Sequence, residues 1–242
     1  MLSKIRIVLV GLCIFLFGIH SLSYAESTDE MNSNEDFQSI LDNAMDRIRE
    51  DYTEKFSFRE EVSRGGESVV GEYDPSRGEQ AWTLLSVDDA KPSKEKSKDY
   101  LKQKRKQAEN LEKHPERSPM GVKAMVERGS LKLIENQTER WVLSFTPTGE
   151  DQKMMRRMKG ELAIRKSGRF VEWVDVRSEK PFKPNLVTKM KEFIMHYEFK
   201  SLPIEDRVVP TSFEFRISLS AVGIIDVDEH LFARYSNYRV VN

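Results

Sequence analysis

The stretch Phe-Ile-Met-His-Tyr-Glu-Phe at residues 193–199 decides the fold class of this chain, because a large apolar side chain stands at every second position. Successive side chains of a β-strand point to opposite faces, so this spacing predicts a strand with one buried and one solvated face. The same period of two recurs later in the chain, in Phe213, Phe215, Ile217 and Leu219 and again in Leu231, Ala233 and Tyr235.

Shorter strand patterns lie upstream of these three. They are separated by turn signals such as Arg64-Gly65-Gly66 and Ser167-Gly168, which suit hairpin connections. Together the patterns predict a mainly β fold, a curled antiparallel sheet or incomplete β-barrel of about eleven strands. We expect residues 26–242 to form a single domain. The upstream strand patterns fall near residues 56–62, 67–73, 81–87, 131–133, 141–145, 162–164 and 170–176.

Two segments predict helices instead of strands. The first has one apolar face with helical spacing, and Ser33 or Asn34 can cap its start. The second is a lysine-rich, helical flap over residues 92–128 that interrupts the sheet. The apolar face of the first helix consists of Phe37, Ile40, Leu41, Ala44, Met45 and Ile48.

The N-terminus has the three parts of an export signal. Lys4 and Arg6 precede an apolar run over residues 7–19, and small residues near Ala25 favour cleavage before Glu26. The alternatives are an uncleaved anchor or a lipid anchor at Cys13, which is the one cysteine of the chain. Cleavage of residues 1–25 would leave a chain without a thiol, so the fold would depend on its core alone.

Composition and motifs exclude several classes of function. Lys4 and Arg6 are two of the 39 basic residues, so the chain after the predicted signal peptide has 37 basic and 40 acidic residues. This near-neutral balance does not favour binding to nucleic acid. We find no nucleophile, phosphate-loop or dinucleotide pattern, so we expect no enzyme and no cofactor. The stretch 226–230, Asp-Val-Asp-Glu-His, is the best metal candidate, but we interpret it as a polar turn between strands and predict no metal site.

The aromatic alternation allows two interpretations. It is the core of the domain, or it lines a cavity for an apolar ligand, since a curled sheet of this size can enclose one. Three methionines at 154, 155 and 158 would suit the mouth of such a cavity. The predicted ligand-binding residues are Trp141, Leu143, Phe145, Phe193, Met195, Tyr197, Phe199, Phe213, Phe215, Ile217 and Leu219.

The basic run of the flap also has two interpretations. It is a solvated helix face, or it is a docking surface for anionic lipid head groups or another acidic surface. The run consists of Lys94, Lys96, Lys98, Lys102, Lys104, Arg105 and Lys106.

The layout resembles a known family. An amphipathic helix, a β-meander with a helical flap, the stretch Lys159-Gly160-Glu161-Leu162-Ala163-Ile164 and a long aromatic strand are similar to the periplasmic lipoprotein carriers of Gram-negative bacteria, the LolA/LolB type. They are also similar to related anti-sigma-factor regulators. Tyr73-Asp74-Pro75 with the stretch 82–88 resembles the family's uncharacterised secreted branch.

The resemblance implies a periplasmic protein with an incomplete barrel that binds lipid or lipoprotein acyl chains without chemistry, as a carrier or chaperone. No single position here matches a ligand-binding residue of the family. The alternative function is a protein-interaction module in envelope stress sensing or assembly, with the lysine-rich flap as its contact surface.

Overall fold

A computed structural model describes residues 37–48, 52–113, 122–149, 152–203, 207–221 and 225–241. The predicted signal peptide and the predicted capping residues Ser33 and Asn34 lie outside this part of the chain. In the described residues the α-helices are α1 (Phe37–Asp46), α2 (Tyr52–Lys55), α3 (Lys94–Lys113), α4 (Val122–Met125) and α5 (Gln152–Met155), and a 3-10 helix spans Pro75–Gln80.

The strands form where the alternating patterns predicted them. Their bounds are β1 (Phe56–Arg64), β2 (Glu67–Tyr73), β3 (Trp82–Val87), β4 (Lys132–Asn136), β5 (Arg140–Phe145), β6 (Met158–Arg165), β7 (Phe170–Ser178), β8 (Thr188–Leu202), β9 (Arg207–Ala221) and β10 (Ile225–Val240).

These strands form one ten-stranded antiparallel sheet in the order β3-β2-β1-β10-β9-β8-β7-β6-β5-β4. The order is a simple meander from β4 to β10, which β1, β2 and β3 then continue. The sheet is curled but not closed into a barrel, because its two free edges are β3 and β4. The prediction of a curled, mainly β sheet is confirmed, with one strand fewer than the eleven expected.

The strand register defines an inner face of the sheet. Paired residues of neighbouring strands point to the same side, so they can be followed from strand to strand. One such row passes through Leu143, Leu162, Val174, Tyr197, Phe213, Ala233, Val62 and Val69.

Helix α1 covers one half of this inner face. Its buried residues Ile40, Leu41, Ala44 and Met45 belong to the same apolar cluster as the inner residues of β5 to β8. The ring of Phe37 meets Trp141 edge-on, with 6.0 Å between the centroids. The amphipathic pattern therefore places this helix correctly as a cover over the sheet.

One interpretation of the sequence is wrong. The acidic stretch 226–230 is not a turn but the start of strand β10, where it pairs with β9. The polar stretch forms a strand because its cross-strand partners supply the backbone hydrogen bonds whatever the side chains are.

Within the described residues, no helix combines the length and apolar character needed to cross a bilayer.

Candidate functional site

The eleven residues predicted to line a ligand cavity all lie on the inner face, as the cross-strand register shows. They are not equivalent in burial. Met195, Phe213, Phe215 and Ile217 are partly buried and lie on β8 and β9. The remaining seven, Trp141, Leu143, Phe145, Phe193, Tyr197, Phe199 and Leu219, are buried within the apolar core.

The buried members pack against the protein's own side chains. Tyr197 stacks on Phe213 with 4.6 Å between ring centroids, and Phe193 meets Phe215 edge-on at 5.8 Å. Phe145 lies over Gly160 of the neighbouring strand, where an added Cβ atom would lie within 2.6 Å of three of its ring carbons. This part of the inner face is therefore filled in the same way as an ordinary protein core.

A pocket of about 1010 Å³ lies elsewhere, between the flap helix α3 and the edge strand β3. Its apolar walls are Tyr73, Trp82 and Leu84 from the sheet and Leu101 and Ala108 from the helix. Its polar rim comes from Ser97, Lys104 and Arg105 of α3, from Thr83, and from Arg77, Gly78, Glu79, Gln80 and Ala81 of the segment before β3.

The segment before β3 shapes the lower end of this pocket. Asp74 caps it, since its carboxylate accepts a hydrogen bond from the Ser76 amide at 3.1 Å. Gly78 has φ +57°, which favours glycine, and lets the chain turn back toward β3. Arg77 is paired with Asp74 at 3.1 Å. Hydrogen bonding to Ser76, its largest cause, and the Arg77 charge hold the pKa of Asp74 below its usual range.

The flap helix touches the sheet through a narrow stripe of residues four positions apart. Lys96 is paired with Glu67, Tyr100 lies over Gly71, and Lys104 is paired with Glu60. Residues at i, i+4 and i+8 share one face of a helix, so the three contacts align along the helix axis. The rest of α3 is exposed apart from Ser97, as far as its side chains are described.

The ion pair of Lys104 and Glu60 is buried in an aromatic surround. The side chains of Lys104 and Glu60 are only 11% and 8% exposed. The Lys104 ammonium lies 4.0 Å from the centroid of Trp82 and 5.5 Å from that of Tyr100. Cation–π attraction thus offsets part of the desolvation of this charge.

Tyr100 itself lacks a hydrogen-bond partner for its buried hydroxyl. Burial, and to a smaller extent the charge of Glu60, raise the pKa of Tyr100 above its usual value. The phenol is therefore neutral, and its contribution comes from the ring. The ring fits against the sheet because position 71 is glycine.

The floor beneath the flap is an aromatic cluster. Phe58 lies at its centre, with ring centroids 5.1 Å from Tyr73, 5.7 Å from Trp82 and 5.5 Å from Tyr238. Tyr73 and Trp82 are 5.0 Å apart and belong to both the cluster and the pocket wall. The pocket therefore adjoins a broad apolar surface that the flap partly covers.

The opposite, outer face of the sheet carries a charged network. His196 lies 3.4 Å from Asp175 and 3.7 Å from Glu198, and the Ser212 hydroxyl donates to Glu198 at 2.7 Å. The hydrogen bond with Asp175 raises the pKa of His196, against the opposing effect of burial. The serine donates to a carboxylate and not to the imidazole, which is not the arrangement of an activated nucleophile.

The acidic stretch of β10 does not assemble a metal site. Asp226 is paired with Lys191 at 2.8 Å, and His230 lies 3.0 Å from Glu214. Across the described part of the chain, no group of three or more His, Cys, Asp or Glu side chains is arranged to hold a metal ion.

Sequence reasoning missed the residues that form the pocket. Trp82 and Leu84 were assigned only to a strand, and Tyr100 and Leu101 only to a charged helix. The sequence did contain an indication of this contact, because Lys96, Tyr100 and Lys104 lie four residues apart within the basic run. A single aromatic residue in a lysine-rich helix is a candidate contact point with the sheet.

Comparisons with protein-family models, with curated proteins and with solved structures find no match to this chain. The resemblance to the periplasmic lipoprotein carriers therefore stays a prediction from the sequence.

Proposed function

We propose that this protein binds the acyl chain of a lipid or lipoprotein and acts as a periplasmic carrier or chaperone without chemistry of its own. The observation that carries the proposal is the pocket of about 1010 Å³ between α3 and β3, with aromatic and aliphatic walls and a basic rim. Pockets of this size and lining are typical of small-molecule sites.

The walls fit an aliphatic chain better than a polar ligand. Trp82, Leu84 and Leu101 present apolar surface, and Arg105 at the rim suits an anionic or zwitterionic head group. About ten buried methylene groups would contribute about 8 kcal/mol. Association costs of about 4 kcal/mol or more leave about 4 kcal/mol or less from these groups, which corresponds to a dissociation constant of about 1 mM or weaker. Such weak binding suits a carrier that must release its cargo.

The flap can gate this pocket. Its docking stripe consists of Lys96, Tyr100 and Lys104, of which the pair of Lys96 with Glu67 is exposed and contributes little. Lifting α3 would uncover Trp82 and Tyr73. The partly buried Phe213 and Phe215 lie on β9, between the strands under α1 and those under α3, and would extend the apolar surface.

Ligand capture tests the proposal. The protein is purified from its native envelope without detergent, and bound lipid is identified by mass spectrometry. Displacement of a fluorescent fatty acid then measures affinity for wild type, for Leu101→Asp and for Leu85→Asp. Leu85 is an exposed leucine on β3 that does not line the pocket, so it is the matched control.

We expect Leu101→Asp to weaken binding about tenfold or more, since a buried charge is costly near an acyl chain. Leu85→Asp should bind like wild type. The absence of any bound lipid together with equal affinities for both variants would refute the proposal.

A second function is favoured by the outward face of the flap. Lys98, Lys102 and Lys106 are exposed there, whereas Lys104 is buried with Glu60 and is not available to a partner. An acidic surface of an envelope protein could dock on these lysines. Reversal of the three exposed charges should abolish capture of such a partner in a pull-down, and reversal of Lys132 on β4 should not. Unchanged capture would exclude the flap as the interface.

A further inference from the structure

Three strand connections meet at one end of the sheet. Met158 pairs with Ser178, which places the α5 connection beside the connection between β7 and β8. Thr188 pairs with Ala221, and Ala221 pairs with Ile225, which adds the connection between β9 and β10. Residues 152–157 and 179–189, together with Ala221 and Ile225, therefore share this end, which we call the basic tip.

The basic tip exposes large apolar side chains. Leu186 is 98% exposed, Val187 is 59% exposed and Ile225 is 48% exposed. Single exposed apolar residues are common on protein surfaces, but neighbouring ones at one end indicate a contact surface.

Hydrogen bonds hold the Leu186 loop in an ordered shape. The Asn185 side-chain oxygen accepts from the amides of Val187 at 3.0 Å and Thr188 at 2.8 Å. Phe182 and Met190 close the loop through two backbone hydrogen bonds of 3.0 and 2.8 Å. The exposure of Leu186 is thus built into a closed turn, because the asparagine fixes the backbone on both sides of the leucine tip.

Basic residues outnumber acidic ones in the two longer connections at this end. Residues 150–157 and 179–189 contain six Lys or Arg against three Asp or Glu, whereas the whole chain has a formal net charge of -1. On the adjoining strands, Lys191 is neutralised by Asp226 and Asp228 also acts on it, so these residues add no positive charge to this excess. The exposed cations are Lys153, Arg156, Arg157, Lys180, Lys183 and Lys189.

We propose that the basic tip docks on an anionic phospholipid bilayer, with Leu186 and Val187 inserted among the acyl chains and the lysines on the head groups. Apolar side chains within a ring of basic ones are the combination that binds anionic membrane surfaces reversibly. A protein partner would need a surface complementary in shape to this protruding tip. A bilayer has no such requirement, because its lipids can rearrange around an inserted apolar side chain. The inference does not depend on the pocket, since the two surfaces share no residue.

Vesicle co-sedimentation tests the docking. Wild-type protein is mixed with vesicles of phosphatidylcholine alone and with vesicles that also contain phosphatidylglycerol. We expect binding to the anionic vesicles only, and weaker binding at high salt because salt screens the head-group charge. Each neutralised lysine should weaken partitioning about fivefold.

Two variants locate the surface. Leu186→Ser with Val187→Ser should reduce binding about tenfold or more, and Lys183→Gln with Lys189→Gln should reduce it by a similar factor. The matched controls are Leu85→Ser and Lys98→Gln with Lys102→Gln, which change the same residue types on exposed sites elsewhere. Thermal unfolding should be unchanged, because none of these side chains is buried.

The proposal is overturned if anionic and neutral vesicles bind equally, or if the tip variants bind like their controls. Failure here would leave the acyl-chain proposal intact, since fatty-acid displacement is measured without vesicles.

Discussion

The substitution Gly71→Ala tests how the flap helix is held on the sheet. Gly71 lies on β2 beneath Tyr100, and an added Cβ atom would stand 2.8 Å from the Tyr100 ring carbon Cζ, with the hydroxyl oxygen closer still. Ordinary contacts of a Cβ atom are 3.4 Å or more. The Tyr100 side chain must therefore move. Its ring packs beside Trp82, with 6.1 Å between the centroids, so the movement disturbs this contact as well.

The expected magnitude follows from what the tyrosine loses. Full burial of a large side chain stabilises by about 1.5–3 kcal/mol. Alanine in a strand regains about 0.5–1 kcal/mol relative to glycine. Gly71→Ala should therefore destabilise the protein by about 1–2 kcal/mol, which lowers Tm by about 2–8 °C in a domain of this size.

A double-mutant cycle with Tyr100→Ala separates the clash from any general effect of alanine at this position. The assay is chemical denaturation of wild type, both single variants and the double variant. In the Tyr100→Ala background, Gly71→Ala should be neutral or slightly stabilising. Gly149→Ala is a steric control, because its Cβ atom would meet Met155 at an ordinary 3.5 Å. Equal destabilisation by Gly71→Ala in both backgrounds would refute the proposed packing of the flap.

Three further predictions concern the buried pair, the core and the outer face. Glu60→Gln leaves the ammonium of Lys104 buried without its partner, so it should lower the free energy of unfolding, measured in urea, by about 3–5 kcal/mol. The double variant Glu60→Met with Lys104→Met should lose much less stability. Similar losses for the two variants would contradict a buried ion pair. Gly160→Ala places a Cβ atom within 2.6 Å of the Phe145 ring in the core and should lower Tm by several degrees. An unchanged Tm would mean that Phe145 can move aside and would contradict this prediction. The pKa of His196 is raised from 6.5 in the folded state, first by the hydrogen bond to Asp175, so its stabilising contribution is full below pH 6.5 and is lost as the pH rises through the folded pKa. His196→Gln should therefore be most destabilising in acid, and a stability difference that is constant with pH would contradict this.

The local pattern of the sequence was enough for the class of fold. The alternation in residues 193–199 predicts a strand without knowledge of its neighbours, because the period of two is a property of the backbone. The helical spacing from Phe37 to Ile48 likewise identified the helix that covers the core. The polar stretch 226–230 was wrongly predicted to be a turn for the same reason, because local composition cannot show that β9 will pair with it.

The candidate site could not be obtained in this way. Tyr100 and Gly71 are 29 positions apart in the sequence, and Lys104 and Glu60 are 44 apart, so no periodicity within one segment brings them together. The basic tip is equally nonlocal, because strand register alone sets the connections of β5–β6, β7–β8 and β9–β10 side by side.

The sequence by itself determined most of the strands, the positions of the two main helices and the buried faces of α1 and of the aromatic strands, since these follow from backbone geometry and the burial of apolar side chains. Only the tertiary structure decided that most of the aromatic ribbon is filled core, that the open pocket lies under the charged flap, and that exposed apolar residues gather at one end. The reason is that side-chain packing depends on which distant segments meet, and that choice is made by the whole sheet at once.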